Sequence, residues 1–211
     1  MKREYILGVL FFSGVWGLSE ALLGGALYAS GAPYASVPLT VVGLAVLTVA
    51  RIYFPQRGTG TLIASFAMLY KFLNAPFFGC HLLAILFTGA CYDLMFDVVR
   101  IRSKSLAAAA ATYLSYALFA VTITYAFRYD HWVQGGLVQV ARHIFLEGSV
   151  AALVCAVAVP LSAQLGEKLK SRSPVPLRLQ WQPIPGGISV VTLGLWGFGI
   201  VTCLLSFTAV Q

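Results

Sequence analysis

Charge is scarce in this chain: Asp, Glu, Lys and Arg make up 10% of its 211 residues. A soluble domain carries about 25%, so a water-facing surface for a chain of this length is excluded. Cysteine is rare as well, and none of Cys80, Cys91, Cys155 and Cys203 forms a CxxC pair, which removes a thioredoxin-like role. Cys80 and Cys91 would stand ~16 Å apart along one helix, beyond disulfide reach. All four read as small buried residues. There is no HExxH, no GxSxG, no Walker motif and no Asp-rich pair of the prenyl-transfer kind. The glycines of residues 194–199 (GLWGFG) lack the strand and lysine of a phosphate loop and read as helix packing. The chain is therefore expected to be no enzyme, with no metal site and no resident cofactor. No internal or inverted repeat is visible, which argues against a transporter built from duplicated halves.

Apolar residues fill the space that charge vacates, at 59% of the chain. A membrane-spanning helix needs ~20 mostly apolar residues, and seven runs qualify: 5–28, 36–54, 59–75, 78–99, 105–127, 138–165 and 187–209. Turn-forming segments separate them, at Gly31-Ala32-Pro33, Pro55 to Gly58, Ala75-Pro76, Arg100 to Ser105, Tyr129 to Gly136 and Ser171 to Gly187. The expected fold is an all-α polytopic bundle of six to seven transmembrane helices, forming one integral membrane domain over 1–211. The first run follows Lys2-Arg3 and ends near small residues, as a signal peptide does. Its length and its internal Glu20 favour a retained span.

The net charge of +7 comes in short clusters between the runs, the pattern of membrane topology and not of nucleic-acid binding. With the N-terminus inside, the cytoplasmic face collects Lys2, Arg3, Arg51, Arg57, Arg100, Arg102, Lys104, Lys168, Lys170, Arg172 and Arg178, while Arg128 alone falls in an outer loop. This asymmetry predicts a cytoplasmic N-terminus and a multi-pass protein of a bacterial or archaeal cytoplasmic (cell inner) membrane. The proline-rich segment 171–187 reads as a cytoplasmic linker whose Trp181 touches the headgroup layer.

Ionisable groups inside a bilayer cost at least ~2.5–3.5 kcal/mol each on insertion scales and usually face a partner, a cavity or a ligand. Depth along each run places Glu20, Lys71, Asn74, His81, Arg142, His143 and Glu147 in the outer half of the bundle, as candidate substrate-binding residues. Two readings stay open: a water-filled pocket for a small molecule, or self-neutralising ion pairs that only specify packing. Asp93 and Asp97 share one face of the fourth run near its cytoplasmic end, Asp97 beside arginines and Asp93 facing a helix neighbour or a partner protein. The segments 74–79 and 128–136, the latter with His131 and Trp132, are lid candidates or plain turns. His81 and His143 also have the placement of a bis-His b-haem site, an electron-transfer alternative.

Small residues recur at every fourth position of the first run, at Ser13, Gly17, Ala21, Gly25 and Ala29. Such a stripe lets another helix approach closely, either within this protein or on a separate membrane subunit. A weaker version runs from Ala107 to Ala111.

The segments WGLSEALLGGALYASG (16–31) and LIASFAMLYKFLNAPFFGCHLLAILFTGACYDLMFD (62–97) resemble the substrate-binding S components of energy-coupling-factor (ECF) transporters. The resemblance covers roughly the first half of the chain and implies a small helical membrane protein that captures a vitamin-like or other small substrate from outside. It further implies a membrane coupling subunit driven by separate ATPases, docked through the small residues Ser13 to Ala29. Members of that family usually have six spans, against seven runs here, and their substrate residues vary too widely to transfer.

Overall fold

A computed structural model describes residues 3–73, 79–172 and 187–208, all in helices or the turns between them, with no strand among them. The elements are α1 (Arg3–Ala29), α2 (Ser36–Tyr53), α3 (Thr59–Ala67), α4 (Cys80–Asp93), α5 (Lys104–Val121), α6 (Asp130–Ala141), α7 (Gly148–Arg172) and α8 (Gly187–Thr208). A 3₁₀ turn (Met68–Leu73) extends α3, and π-helical turns follow α4 (Leu94–Val99), α5 (Thr122–Ala126) and α6 (Arg142–Glu147).

Local chemistry sets the boundaries. Gly31, at φ +64, ends α1: its N–H donates to the Tyr28 carbonyl at 3.2 Å and the Ala32 N–H to the Leu27 carbonyl at 3.1 Å. This pair of bonds is the Schellman closure, which needs a left-handed residue at that position. Pro55 cannot continue α2. Ser103 caps α5 by accepting from the Leu106 N–H at 3.3 Å.

Among the described residues, five helices are long and apolar enough to cross a membrane: Arg3–Ala29, Ser36–Tyr53, Cys80–Val99, Lys104–Ala126 and Asp130–Arg172. One of the seven expected runs is shorter than the rest. The run over 59–75 becomes α3 and its 3₁₀ turn; nine α and six 3₁₀ residues rise about 25 Å, short of the ~30 Å hydrocarbon core. The last run becomes α8, 22 residues from Gly187 to Thr208. Of the expected linker 171–187, Ser171 and Arg172 close α7 and Gly187 opens α8; the rest of it, with Trp181, lies outside the described residues, as does most of the 74–79 lid candidate.

Burial is arranged as a lipid solvent would demand. Leu137, Val138, Leu153, Leu193 and Val98 are each at least 70% exposed, whereas Ser13, Glu20, Lys71, Asp93 and Thr112 are buried. The core is built of Trp16, Leu44, Leu47, Ile63, Tyr92, Cys155 and Val159. Within it α7 packs between α2 and α5, α4 against α3 and α5, and α1 against α2 and α3, with α8 laid against α1 and the 3₁₀ turn after α3. Trp196 anchors α8 there, its indole N–H donating to the Leu10 carbonyl at 3.1 Å and its ring edge-on to Tyr70.

The small-residue stripe is largely used inside the chain. The Ser13 hydroxyl donates to the Val9 and Ile63 carbonyls, at 2.7 and 3.0 Å. A Cβ on Gly17 would collide with the Tyr70 ring and come within 2.9 Å of the Ala67 carbonyl oxygen. Ala21 is also buried, which leaves only Gly25, half-buried, and Ala29, exposed, on the surface. Ala107, Ala108 and Ala111 are buried as well. The face expected to receive a separate subunit is thus covered at Ser13 and Gly17 by α3 and its 3₁₀ turn, and is buried as far as Ala21.

Asp93 and Asp97 brace the start of α3. The Asp93 carboxylate accepts from the Gly60 N–H (3.0 Å), the Thr61 N–H (2.6 Å) and the Thr61 hydroxyl (2.7 Å). Asp97 accepts from the Gly58 N–H at 3.1 Å and pairs with Arg51. Two acids at the positive end of a helix dipole satisfy N–H groups that the helix itself leaves unpaired. Asp93 is occupied inside the chain.

Candidate functional site

The end of the bundle where α1 stops and where α2, α4 and α6 begin encloses a cavity of about 340 Å³. This volume suits a small organic molecule. The cavity draws side chains from five parts of that end: Tyr28 and Tyr34 from α1 and the turn after it, Ser36 and Thr40 from α2, Cys80 and His81 from α4, Ser115, Tyr116 and Phe119 from α5, and His131, Trp132, Gln139, His143 and Glu147 from the α6 region. All three histidines of the chain line it.

Two of these imidazoles are held face to face with a tyrosine. His81 stacks on Tyr28, with centroids 4.8 Å apart and planes 17° from parallel. His143 stacks on Tyr116 at 4.9 Å and 19°, and is boxed in by the Trp132 ring edge-on at 5.1 Å and by Phe119 at 5.6 Å. The His143 Nδ1 meets Glu147 Oε2 at 2.9 Å, and the Ser36 hydroxyl donates to the same oxygen at 3.4 Å. Tyr116 and Thr40 share a hydroxyl contact of 3.3 Å. A carboxylate on one ring nitrogen fixes the imidazole's orientation and leaves the other nitrogen as the group that can meet a guest.

The local backbone makes this arrangement possible. His143 and Glu147 lie on the π-helical turn Arg142–Glu147, a wider turn frequently found at functional sites. The run Asp130–Arg172 is 43 residues long, about 65 Å as straight helix, twice the ~30 Å hydrocarbon core. It breaks at Gly136, whose φ of 55° and ψ of −152° lie in a region open to glycine alone. The segment ahead of the break carries His131 and Trp132 into the cavity lining, so the 128–136 lid candidate contributes wall residues.

A second pocket of about 50 Å³ adjoins the first and shares Tyr28, Ser36, Thr40, His81 and Thr88 with it. Its far wall is the Glu20–Lys71 ion pair, with Nζ 2.9 Å from Oε2 and both side chains less than 10% exposed. The same Nζ donates to the Glu20 carbonyl at 3.0 Å, and the Trp16 indole N–H donates to Oε1 at 3.4 Å. Two opposite charges with their hydrogen bonds made within the protein form a closed unit.

The seven residues expected to bind substrate therefore separate. His81, His143 and Glu147 line the main cavity, and Glu20 and Lys71 close the pocket beside it. Arg142 is exposed and lines neither: one residue along a helix turns a side chain by about 100°, so Arg142 points away where His143 points in. Asn74 lies outside the described residues. The aromatic and hydroxyl wall (Tyr28, Ser36, Thr40, Ser115, Tyr116, Phe119) was not singled out from sequence; the pairs Ser36/Thr40, Ser115/Phe119 and His143/Glu147, each four apart, are the signal for one polar-aromatic face. Among the described residues no group of three or more His, Cys, Asp or Glu side chains is placed to hold a metal ion.

Comparison of the chain with protein-family models, with curated proteins and with solved structures gave no match.

Proposed function

We propose that this chain is a membrane-embedded binding subunit that takes up a small organic molecule from the outer side of a cell membrane. The observation that carries this reading is the cavity: about 340 Å³, walled by rings and hydroxyls, with one imidazole nitrogen pinned by Glu147. Packing alone calls for no such space, since protein interiors leave few voids larger than a water molecule. Aromatic faces with a few convergent polar groups are the usual lining of a small-molecule site.

The outward orientation follows from charge. Lys104 pairs with Glu167, Lys170 with the Ile52 carbonyl and Arg51 with Asp97, all at the end away from the cavity. By the positive-inside rule that basic end is cytoplasmic, which opens the cavity to the outside. In this reading Glu20–Lys71 holds α1 to the 3₁₀ turn beside the cavity, and the histidines and aromatics meet the substrate.

The role agrees with that of an ECF-type S component, which captures substrate and leaves energy conversion to a coupling subunit and ATPases on other chains. Contact with such a subunit would use a surface other than Ser13 to Ala21. Native mass spectrometry of protein extracted in mild detergent tests the proposal. A small-molecule adduct on the wild type that is lost in Tyr116→Leu supports it; an adduct of equal occupancy in both places the guest elsewhere and overturns the site.

A further inference from the structure

The opposite end of the bundle holds a second concavity, of about 360 Å³, lined by Arg51, Arg57, Arg100, Asp97, Phe96 and Pro55 among others. Three guanidinium groups face one carboxylate, which leaves two positive charges uncompensated within the lining. The carboxylate is already engaged, since Asp97 receives Arg51 and the Gly58 N–H. Among the described residues neither Arg57 nor Arg100 pairs with an acid.

The arginines are partly preorganised. Arg51 is held by Asp97, by the Phe96 carbonyl at 3.3 Å and over the Phe96 ring at 5.5 Å. Arg100 adopts φ +57, uncommon for a residue with a side chain, and its Nε donates to the Asp97 carbonyl at 3.2 Å. Arg57 is exposed at the rim. Planar guanidinium forks match the oxygens of a phosphate group. Beside the pocket, Val98 and Val99 on the π-helical turn after α4 are 70% and 55% exposed, an apolar flank that an acyl chain would cover.

We propose that this arginine pocket binds a phosphate group carrying net negative charge, presented by the headgroup of an anionic lipid at the basic face of the membrane. The site is independent of the cavity at the other end and of whatever that cavity holds. Arg57 and Arg100 supply the excess charge, and Arg51 fixes the floor through Asp97. A headgroup seated there would tie the α2–α3 turn to the end of α4.

Thermal unfolding of the full chain tests this in micelles supplemented with phosphatidylglycerol, with phosphatidylcholine or with inorganic phosphate alone. Wild type is expected to melt several degrees higher with phosphatidylglycerol than with phosphatidylcholine, and Arg57→Gln/Arg100→Gln to lose that difference while matching wild type in phosphatidylcholine. The apparent affinity for phosphatidylglycerol should fall about tenfold or more, as loss of two interfacial cations implies. An equal shift with inorganic phosphate alone would keep the site and assign it to the free ion. Should the double variant fold poorly, Arg57→Gln alone, at an exposed position, should lose part of the shift. A phosphatidylglycerol response unchanged in both variants, or absent from the wild type along with any response to phosphate, overturns the proposal.

Discussion

The His143 imidazole lies flat against the Tyr116 ring, 4.9 Å between centroids and 19° from parallel, while its Nδ1 is 2.9 Å from Glu147 Oε2. The two residues come from α5 and from the turn after α6, so the contact fastens two walls of one cavity. Stacking sets the plane of the imidazole, and the carboxylate sets its rotation within that plane. If this pair forms the binding surface, His143→Leu should lower small-molecule retention by about tenfold or more, the loss of one well-placed contact group. Its melting temperature should move by only a few degrees. Adduct occupancy in native mass spectra and a thermal melt separate the two effects.

Glu20 and Lys71 call for the opposite pattern. Removing one partner of a buried ion pair leaves an uncompensated charge and costs about 3–5 kcal/mol, whereas replacing both is often close to neutral. Lys71→Met should therefore lose most folded protein, and Glu20→Met/Lys71→Met should recover it. The readout is the monodisperse fraction after detergent extraction, followed by a melt. If both single variants are as stable as the wild type, the pair does not hold α1 to the 3₁₀ turn.

Gly17 meets the Tyr70 ring and the Ala67 carbonyl. Gly17→Leu should push α1 off α3 and cost more than the ~1–3 kcal/mol typical of overpacking, because backbone lies in the way. Ala29, exposed on the same stripe, should accept leucine with no loss of stability. Comparing the melts of the two variants shows whether the stripe serves internal packing.

Asp93 accepts three hydrogen bonds at the start of α3. Asp93→Ala strands the N–H groups of Gly60 and Thr61 and should cost about 1–3 kcal/mol. Asp93→Asn keeps one acceptor oxygen and should cost less. Amide exchange at Gly60 and Thr61 should accelerate in the same order.

Most helix positions were legible in the sequence because apolar runs and their Gly and Pro breaks carry that information directly; the break expected at Tyr129 to Gly136 instead holds the start of α6, with Gly136 alone non-helical. The acid–base match of Glu20 with Lys71 was legible in kind, since both lie at similar depth and opposite charges in lipid seek each other. Depth does not encode direction around the helix axis, and so Arg142 and His143, equal in depth, parted. The aromatic walls were legible only at Trp132, which falls in the 128–136 lid candidate; Tyr116 and Phe119 in an apolar run look like core residues until the fold shows empty space before them. The shortness of α3 was hidden too, because an apolar run looks the same whether its last turn is α or 3₁₀.

The central claim is a hydrated cavity open to the outer side, and Cys80, half-buried on its wall, reports on it directly. Cys91 and Cys155 are buried elsewhere; with these and Cys203 replaced by alanine, a charged, membrane-impermeant methanethiosulfonate can be applied to intact cells. The account predicts that Cys80 is modified from outside and that the cavity-filling substitution Ser115→Trp blocks the reaction. Modification that occurs only after the membrane is opened, or that Ser115→Trp leaves unchanged, would contradict it.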